Sequence, residues 1–283
     1  MAIRIDGKRI SAEIRAEIKE ETAAFARERG YLPGLAVVIV GEDPASQVYV
    51  RNKKRACEEV GFYSEVYELP EQTTQKELNA LVERLNADQK IHGILVQLPL
   101  PKHLDENEVL LRIDPSKDVD AFHPLNVGKI MIGDYDFLPC TPAGVMALLE
   151  RSCIDPAGKK CVVVGRSNIV GKPMAMLLLH ANGTVTVCHS KTRELAAVCR
   201  EADILVVAIG RADFVGADMV KEGAVVIDVG MNRRADGKLT GDVDFAAVEP
   251  IASAITPVPG GVGPMTITML LKNTLTAAKK KNH

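Results

Sequence analysis

A chain of 283 residues, 47% apolar and 25% charged, can bury a sizeable core, and its length predicts two domains of ordinary size rather than one. A formal net charge of −2 gives no attraction to nucleic acid or to an anionic membrane surface, which leaves small, mobile substrates. The six cysteines show neither CxxC nor Cys/His metal spacing and several sit in apolar runs, so they read as reduced core residues of a cytoplasmic protein with no metal site.

No run approaches the roughly 18 apolar residues of a membrane span, and residues 1–8 lack the apolar stretch of a signal peptide. The first amphipathic pattern spans about residues 11–28, followed by the strand-like Leu35-Ala36-Val37-Val38-Ile39-Val40. Asp43-Pro44 can then start a helix, with a capping carboxylate and a φ already set by proline. In that helix, 45–60, Ser46, Tyr49, Asn52 and Lys53 fall at i, i+3, i+6 and i+7. A hydroxyl, a ring and an amine thus share one face at a strand's C-terminal end, where the ligands of α/β sheets bind. A core tyrosine and a solvated lysine would satisfy the same spacing.

Strands are predicted at 63–69 and 93–98, with an amphipathic helix at 74–87 between them. Residues 114–142 are polar and proline-bearing, and the domain boundary is placed near Pro139-Cys140-Thr141-Pro142. The strand–helix alternation then restarts with strands at 161–165, 184–188, 204–210 and 224–230. This is the pattern of βαβ units around a parallel sheet, so the fold class is α/β. The expected domains are 1–140, completed by a C-terminal helix from 266, and 141–265.

Gly165-Arg166-Ser167-Asn168-Ile169-Val170-Gly171 joins a buried-strand pattern to a helix, as a pyrophosphate-binding turn does, although serine stands where GxGxxG has its central glycine. A plain β-turn-α connection is the alternative. The next strand ends in His189-Ser190-Lys191-Thr192-Arg193 and lacks the acidic residue that usually meets an NAD ribose. That run attracts a 2′-phosphate, and Arg166 could add a planar fork, so NADP is the favoured cofactor. Lys191 and Arg193 could equally begin a solvated helix. Last comes Pro259-Gly260-Gly261-Val262-Gly263-Pro264-Met265-Thr266, read either as a stiff loop closing on a flat ligand or as a turn before the last helix, with Thr266 near its N-cap.

Together these segments resemble the bifunctional methylenetetrahydrofolate dehydrogenase/methenyltetrahydrofolate cyclohydrolase family over nearly the whole chain. The matching stretches are Tyr49-Val50-Arg51-Asn52-Lys53, Gly93-Ile94-Leu95-Val96-Gln97-Leu98-Pro99-Leu100-Pro101, Lys117-Asp118-Val119-Asp120, Pro139-Cys140-Thr141-Pro142, Val164-Gly165-Arg166-Ser167 and the 259–266 loop. The resemblance implies an N-terminal folate-binding catalytic domain, a Rossmann-type NADP-binding domain and a homodimer. Lys53 would be the general acid/base, bonded by Gln97, with Tyr49 stacked on the folate rings and Asp120 bonded to the pterin. Ser46, Pro259, Gly260 and Gly261 join the candidate substrate residues. Gly165, Arg166, Ser167, Ser190, Ile209, Gly230 and Thr266 are the candidate cofactor residues. Ala121 departs from the family, which usually shows glycine after Lys-Asp-Val-Asp.

The implied activity is NADP-dependent oxidation of 5,10-methylenetetrahydrofolate followed by hydrolysis to 10-formyltetrahydrofolate. Hydride loss from a carbon between two nitrogens needs alignment and no protein base, whereas hydrolysis needs a proton carrier, which a desolvated lysine can be. The rival readings are a dehydrogenase of the same family without the hydrolase activity, a shikimate-type NADP dehydrogenase and a non-catalytic nucleotide sensor.

Overall fold

The computed structural model describes residues 2–281. In chain order its elements are β1 (Ile3–Arg4), α1 (Gly7–Arg29), β2 (Gly34–Val40), α2 (Pro44–Val60), β3 (Tyr63–Leu69), α3 (Gln75–Ala87), β4 (Gly93–Val96), α4 (Glu106–Arg112), α5 (Pro124–Ile132) and α6 (Cys140–Arg151). There follow β5 (Lys160–Val164), α7 (Gly171–His180), β6 (Thr184–Cys188), α8 (Leu195–Cys199), β7 (Ile204–Val207), β8 (Val225–Asp228), β9 (Asn232–Arg233), β10 (Leu239–Thr240), α9 (Phe245–Val248), β11 (Ala254–Ile255) and α10 (Val262–Lys280). Contacts divide the chain into two compact units. One holds residues up to Ala12 with Pro139–Thr266, the other Glu13–Leu138 with the chain from Ile267 onward.

The Glu13–Leu138 unit is built on a three-stranded parallel sheet in the order β3-β2-β4. Every residue of β2 is buried, as the unbroken apolar run requires of a central strand covered on both faces. Ala36, Val38 and Val40 form one core with Leu78, Val82 and Leu85 of α3 and Val109 of α4. Thr74 starts α3 through a reciprocal capping box with Glu77. At its other end Lys117 Nζ donates to the carbonyls of Leu85, Asn86 and Asp88 at 3.0, 2.7 and 2.8 Å. The lysine of the Lys117-Asp118-Val119-Asp120 motif is therefore a helix C-cap, and burial lowers its pKa.

Asp118, also buried, accepts from the His123 backbone N–H and from Asn126 Nδ2, both at 2.8 Å, and so anchors the start of α5. In α10 the buried Asn273 amide donates to the carbonyls of Val119 and Leu138, each at 2.8 Å.

The other unit carries a six-stranded sheet in the order β1-β11-β8-β7-β5-β6, parallel throughout. The chain leaves β5 toward β6 on one side and returns to β7 on the other. This places a topological switch point at the C-terminal end of β5, where open α/β sheets bind ligands. The two-residue strands β1 and β11 are too short to show alternation, and neither stands out in the sequence. Strands expected to run to 210 and 230 end at Val207 and Asp228, because the residues beyond turn into loops. The last helix begins at Val262 rather than near Thr266, so Thr266 lies inside it.

Asn273→Leu keeps the branched shape but removes the amide that donates to the Val119 and Leu138 carbonyls, so it is expected to cost about 1–3 kcal/mol, read as a lower urea midpoint with an unchanged slope.

Candidate functional site

In the Glu13–Leu138 unit three chain segments meet at the C-terminal ends of β2 and β4. Asp43 caps α2 by accepting from the Ser46 N–H at 2.8 Å, with Pro44 in the first turn, as the sequence signal predicts. The helix so aimed carries Ser46 (buried), Tyr49 (42% exposed) and Lys53 (8% exposed). Asn52 of the same predicted face is exposed.

Gln97 continues directly from β4, its N–H bonded to the Val38 carbonyl at 2.8 Å. Its Nε2 donates to the Leu98 carbonyl at 2.7 Å, which turns Oε1 to accept from Lys53 Nζ at 2.8 Å. The pairing of Lys53 with Gln97 is thus present, and the amide's orientation is set by the backbone.

Asp120 is half-buried at the end of a loop pinned to the same strand. Ile94 N–H donates to the Lys117 carbonyl at 2.8 Å, and Val119 lies against Gly93, where a methyl group would come within 2.8 Å of its Cγ1. Ala121, fully buried, adopts φ 57°, a left-handed conformation that costs an alanine about 1–2 kcal/mol. This is the physical reason a glycine suits the position, and the departure noted in the sequence falls on a strained residue next to Asp120.

In the Rossmann-type unit, Gly165 follows β5 with φ 136°, and a methyl group there would lie 2.3 Å from the Ala208 carbonyl oxygen. A methyl at Gly171 would lie 2.3 Å from the Gly165 oxygen, so the turn closes only with bare backbone at both ends. Ser167 Oγ accepts from the N–H groups of Val170 and Gly171 at 3.2 and 3.3 Å and so shapes the start of α7. Arg166, Ser190, Lys191 and Arg193 are all exposed, and residues 189–193 contain no carboxylate. These features fit a dinucleotide with a 2′-phosphate: close backbone approach at the turn, and cations with a hydroxyl beyond β6.

The Gly260 carbonyl accepts from the Lys8 N–H at 3.1 Å, and a methyl at Gly7 would lie 1.8 Å from the Gly261 oxygen. The N-terminus of α1 therefore backs the glycine loop, a contact that spacing does not reveal. Thr266 Oγ1 lies 3.1 Å from Thr141 Oγ1.

Ile209 and Gly230 belong to a network that sequence reading missed. Both are bonded to buried carboxylates, Ile209 N–H to Asp242 Oδ2 at 2.7 Å and Gly230 N–H to Asp228 Oδ1 at 2.9 Å. The available signal was an acid at the end of the apolar run Val225-Val226-Ile227-Asp228, where a charge is costly without partners. Asp228 is 3% exposed, and burial, with Asp242 beside it, pushes its carboxyl up to about 6 against the pull of three backbone N–H groups. Among the described residues no group of three or more His, Cys, Asp or Glu is arranged to hold a metal ion.

Comparison with known proteins completes the description. Residues 5–120 match the model of the tetrahydrofolate dehydrogenase/cyclohydrolase catalytic domain, and residues 139–282 that of the NAD(P)-binding domain of the same family. The "Bifunctional protein FolD" of Moorella thermoacetica is 64% identical over 276 residues, 98% of each chain. A crystal structure of the bifunctional FolD of Campylobacter jejuni aligns with a TM-score of 0.96 at 53% identity, over 99% of both chains. The Trypanosoma brucei FolD, solved with NADP cofactor and inhibitor, aligns with a TM-score of 0.94 at 43% identity, over 99% of this chain and 98% of that one.

The raised Asp228 value implies a pH effect. Its contribution to stability is complete below the ordinary carboxylate range near 4 and is lost as pH rises through about 6. Melting temperature is therefore expected to fall between about pH 4 and 6 through a term of at most about 3 kcal/mol, and Asp228→Asn should flatten that part of the profile.

Proposed function

This chain belongs to the tetrahydrofolate dehydrogenase/cyclohydrolase family, and from that premise we propose which of its residues perform each of two consecutive reactions. The protein is an NADP-dependent methylenetetrahydrofolate dehydrogenase and a methenyltetrahydrofolate cyclohydrolase. The observation that carries the assignment of residues is the buried Lys53 amine held by Gln97 at 2.8 Å, one helical turn from the exposed ring of Tyr49.

Bound NADP supplies the hydride acceptor for the first reaction. The methylene carbon of the substrate lies between two nitrogens whose lone pairs stabilise the cation left behind. The protein's task in that step is alignment. Tyr49 presents a flat face for the folate rings, Asp120 offers a carboxylate to the pterin, and Ser46 joins them in this unit; Pro259, Gly260 and Gly261 are the substrate residues assigned to the Rossmann-type unit. Gly165, Ser167, Ile209, Gly230 and Thr266 hold the dinucleotide, and Arg166 with Ser190 meets its 2′-phosphate.

Hydrolysis is a proton-transfer problem. As water attacks the methenyl carbon, Lys53 accepts one of its protons. As the carbon–N5 bond breaks, the resulting ammonium returns a proton to N5, and the hydroxyl proton lost in forming the formyl group goes to solvent. Gln97 holds the amine through a neutral oxygen, so it fixes position without a charge that would favour the ammonium. The fused activity follows from having this amine beside a substrate that the first reaction converts into a cation.

We further propose that the enzyme works as a cytoplasmic homodimer. All six cysteines are unbridged, five of them buried, which suits a reducing compartment, and no helix among the described residues is long and apolar enough to cross a membrane.

Lys53→Met is expected to slow methenyl-ring opening by at least about 100-fold while NADPH binding stays at the parental level, so that an absorbance time course shows methenyl product accumulating. A variant that opens the ring at the parental rate would remove Lys53 from the mechanism. Arg166→Ala is expected to raise KM for NADP about 10-fold or more and to leave KM for NAD within about twofold. Equal changes for both cofactors would mean that Arg166 does not read the 2′-phosphate.

A further inference from the structure

The Asp242 carboxylate has no exposed surface and four donors. Its Oδ2 accepts from the backbone N–H groups of Ile209 and Gly210 at 2.7 and 3.0 Å. Its Oδ1 accepts from the Arg211 N–H at 2.7 Å and from Asn232 Nδ2 at 2.9 Å. Three successive N–H groups directed at one carboxylate form a concave nest, here filled from inside the protein.

The nest lies in the loop that follows β7, at the sheet's C-terminal edge. Asp242 is itself held from behind. Its N–H and that of Val243 donate to the two oxygens of Asp228, each at 2.9 Å, and the Asp228 N–H donates to Thr256 Oγ1 at 2.8 Å. Side chains are absent where the network needs room: a methyl at Gly230 would lie 2.3 Å from Asp242 Cγ, and one at Gly241 1.8 Å from Asp228 Oδ2.

A buried anion with all its lone pairs engaged resists movement, since shifting the loop would strip donors from a charge that water cannot reach. The same carboxylate fixes the backbone at Ile209 and fills the space left bare at Gly230. These two positions are 21 residues apart and both stand in the cofactor set proposed above.

We propose that Asp242 is a positioning residue for the nicotinamide cofactor: by binding the N–H groups of Ile209, Gly210 and Arg211 it holds the loop after β7 in the shape that receives the dinucleotide. The proposal rests on the assignment of Ile209 and Gly230 to the cofactor. Asp242 touches neither substrate nor cofactor itself, and it has no part in hydrolysis, whose proton carrier is Lys53.

The test is Asp242→Asn, which keeps the shape but turns one acceptor into a donor facing N–H groups. NADPH binding, followed by nicotinamide fluorescence, is expected to weaken about 10-fold or more, with KM for NADP rising in step. Hydrolysis of 5,10-methenyltetrahydrofolate, assayed without cofactor, should stay within about twofold of the parent. A merely structural clamp would lower both activities together, and that result, or an NADPH affinity within twofold of the parent, overturns the proposal.

Should Asp242→Asn fail to fold, Asn232→Ala removes the one side-chain donor to Asp242, together with its bond to the Gly241 carbonyl at 3.1 Å, and leaves the three backbone donors in place. It is expected to weaken NADPH binding about threefold with hydrolysis unchanged, and an unaltered affinity overturns the proposal equally. A parent enzyme that binds no NADPH would instead refute the cofactor assignment on which the proposal stands.

Discussion

An amine taken out of water must be given an acceptor, and in the catalytic unit that acceptor is Gln97 Oε1, 2.8 Å from Lys53 Nζ. The bond depends on much else. Gln97 faces Lys53 because its own amide nitrogen is tied to the Leu98 carbonyl and its backbone to Val38 in the central strand. Lys53 faces Gln97 because Asp43 and Pro44 start the helix at the end of that same strand. The sheet, the cap and the glutamine thus act as a single device for holding one nitrogen in place, as the proposed proton carrier of hydrolysis requires.

The remaining buried charges obey the same rule with backbone partners. Lys117 spends its three donors on three carbonyls at the end of α3, and Asp118 accepts from the segment that begins α5. Asp228 and Asp242 accept backbone N–H groups around the loops that follow β7 and β8. Each charge is met mainly by dipoles fixed in the main chain, with the amides of Asn126 and Asn232 added at Asp118 and Asp242, and this is how an ion survives burial. The bonds of Asp228 and Asp242 also immobilise loops at the edge of a sheet that carry the proposed cofactor residues Ile209 and Gly230.

The two reactions ask different things of the protein. Hydride transfer asks for geometry, and the residues proposed to hold the dinucleotide for it are glycines, loop amides and phosphate-binding side chains. Hydrolysis asks for a proton carrier, and the proposed one is a lysine with a neutral partner. Because the second reaction starts from the product of the first, both are served by one hold on the folate rings, for which Tyr49 and Asp120 are the proposed contacts.

The local part of this structure was legible in the amino-acid order. The all-buried run of β2, the Asp43-Pro44 helix start, the Ser46-Tyr49-Lys53 spacing and the glycine turn after β5 all follow from chain neighbours, whose geometry is set by helical and strand periods and by what proline and glycine permit. The resemblance extended that reading to Gln97, Asp120 and Ser190, residues whose types alone say nothing. What only the tertiary structure decided is where long-range partners meet: Lys117 as a cap on α3, the backing of the 259–261 loop by Gly7 and Lys8, the left-handed Ala121, and the joining of Asp242 to Ile209 across 33 residues of chain. The physical reason is that the need of a buried charge for partners has no period. Sequence shows that an aspartate stands in an apolar run, but which backbone groups satisfy it depends on which loops the packed sheet brings to the same edge.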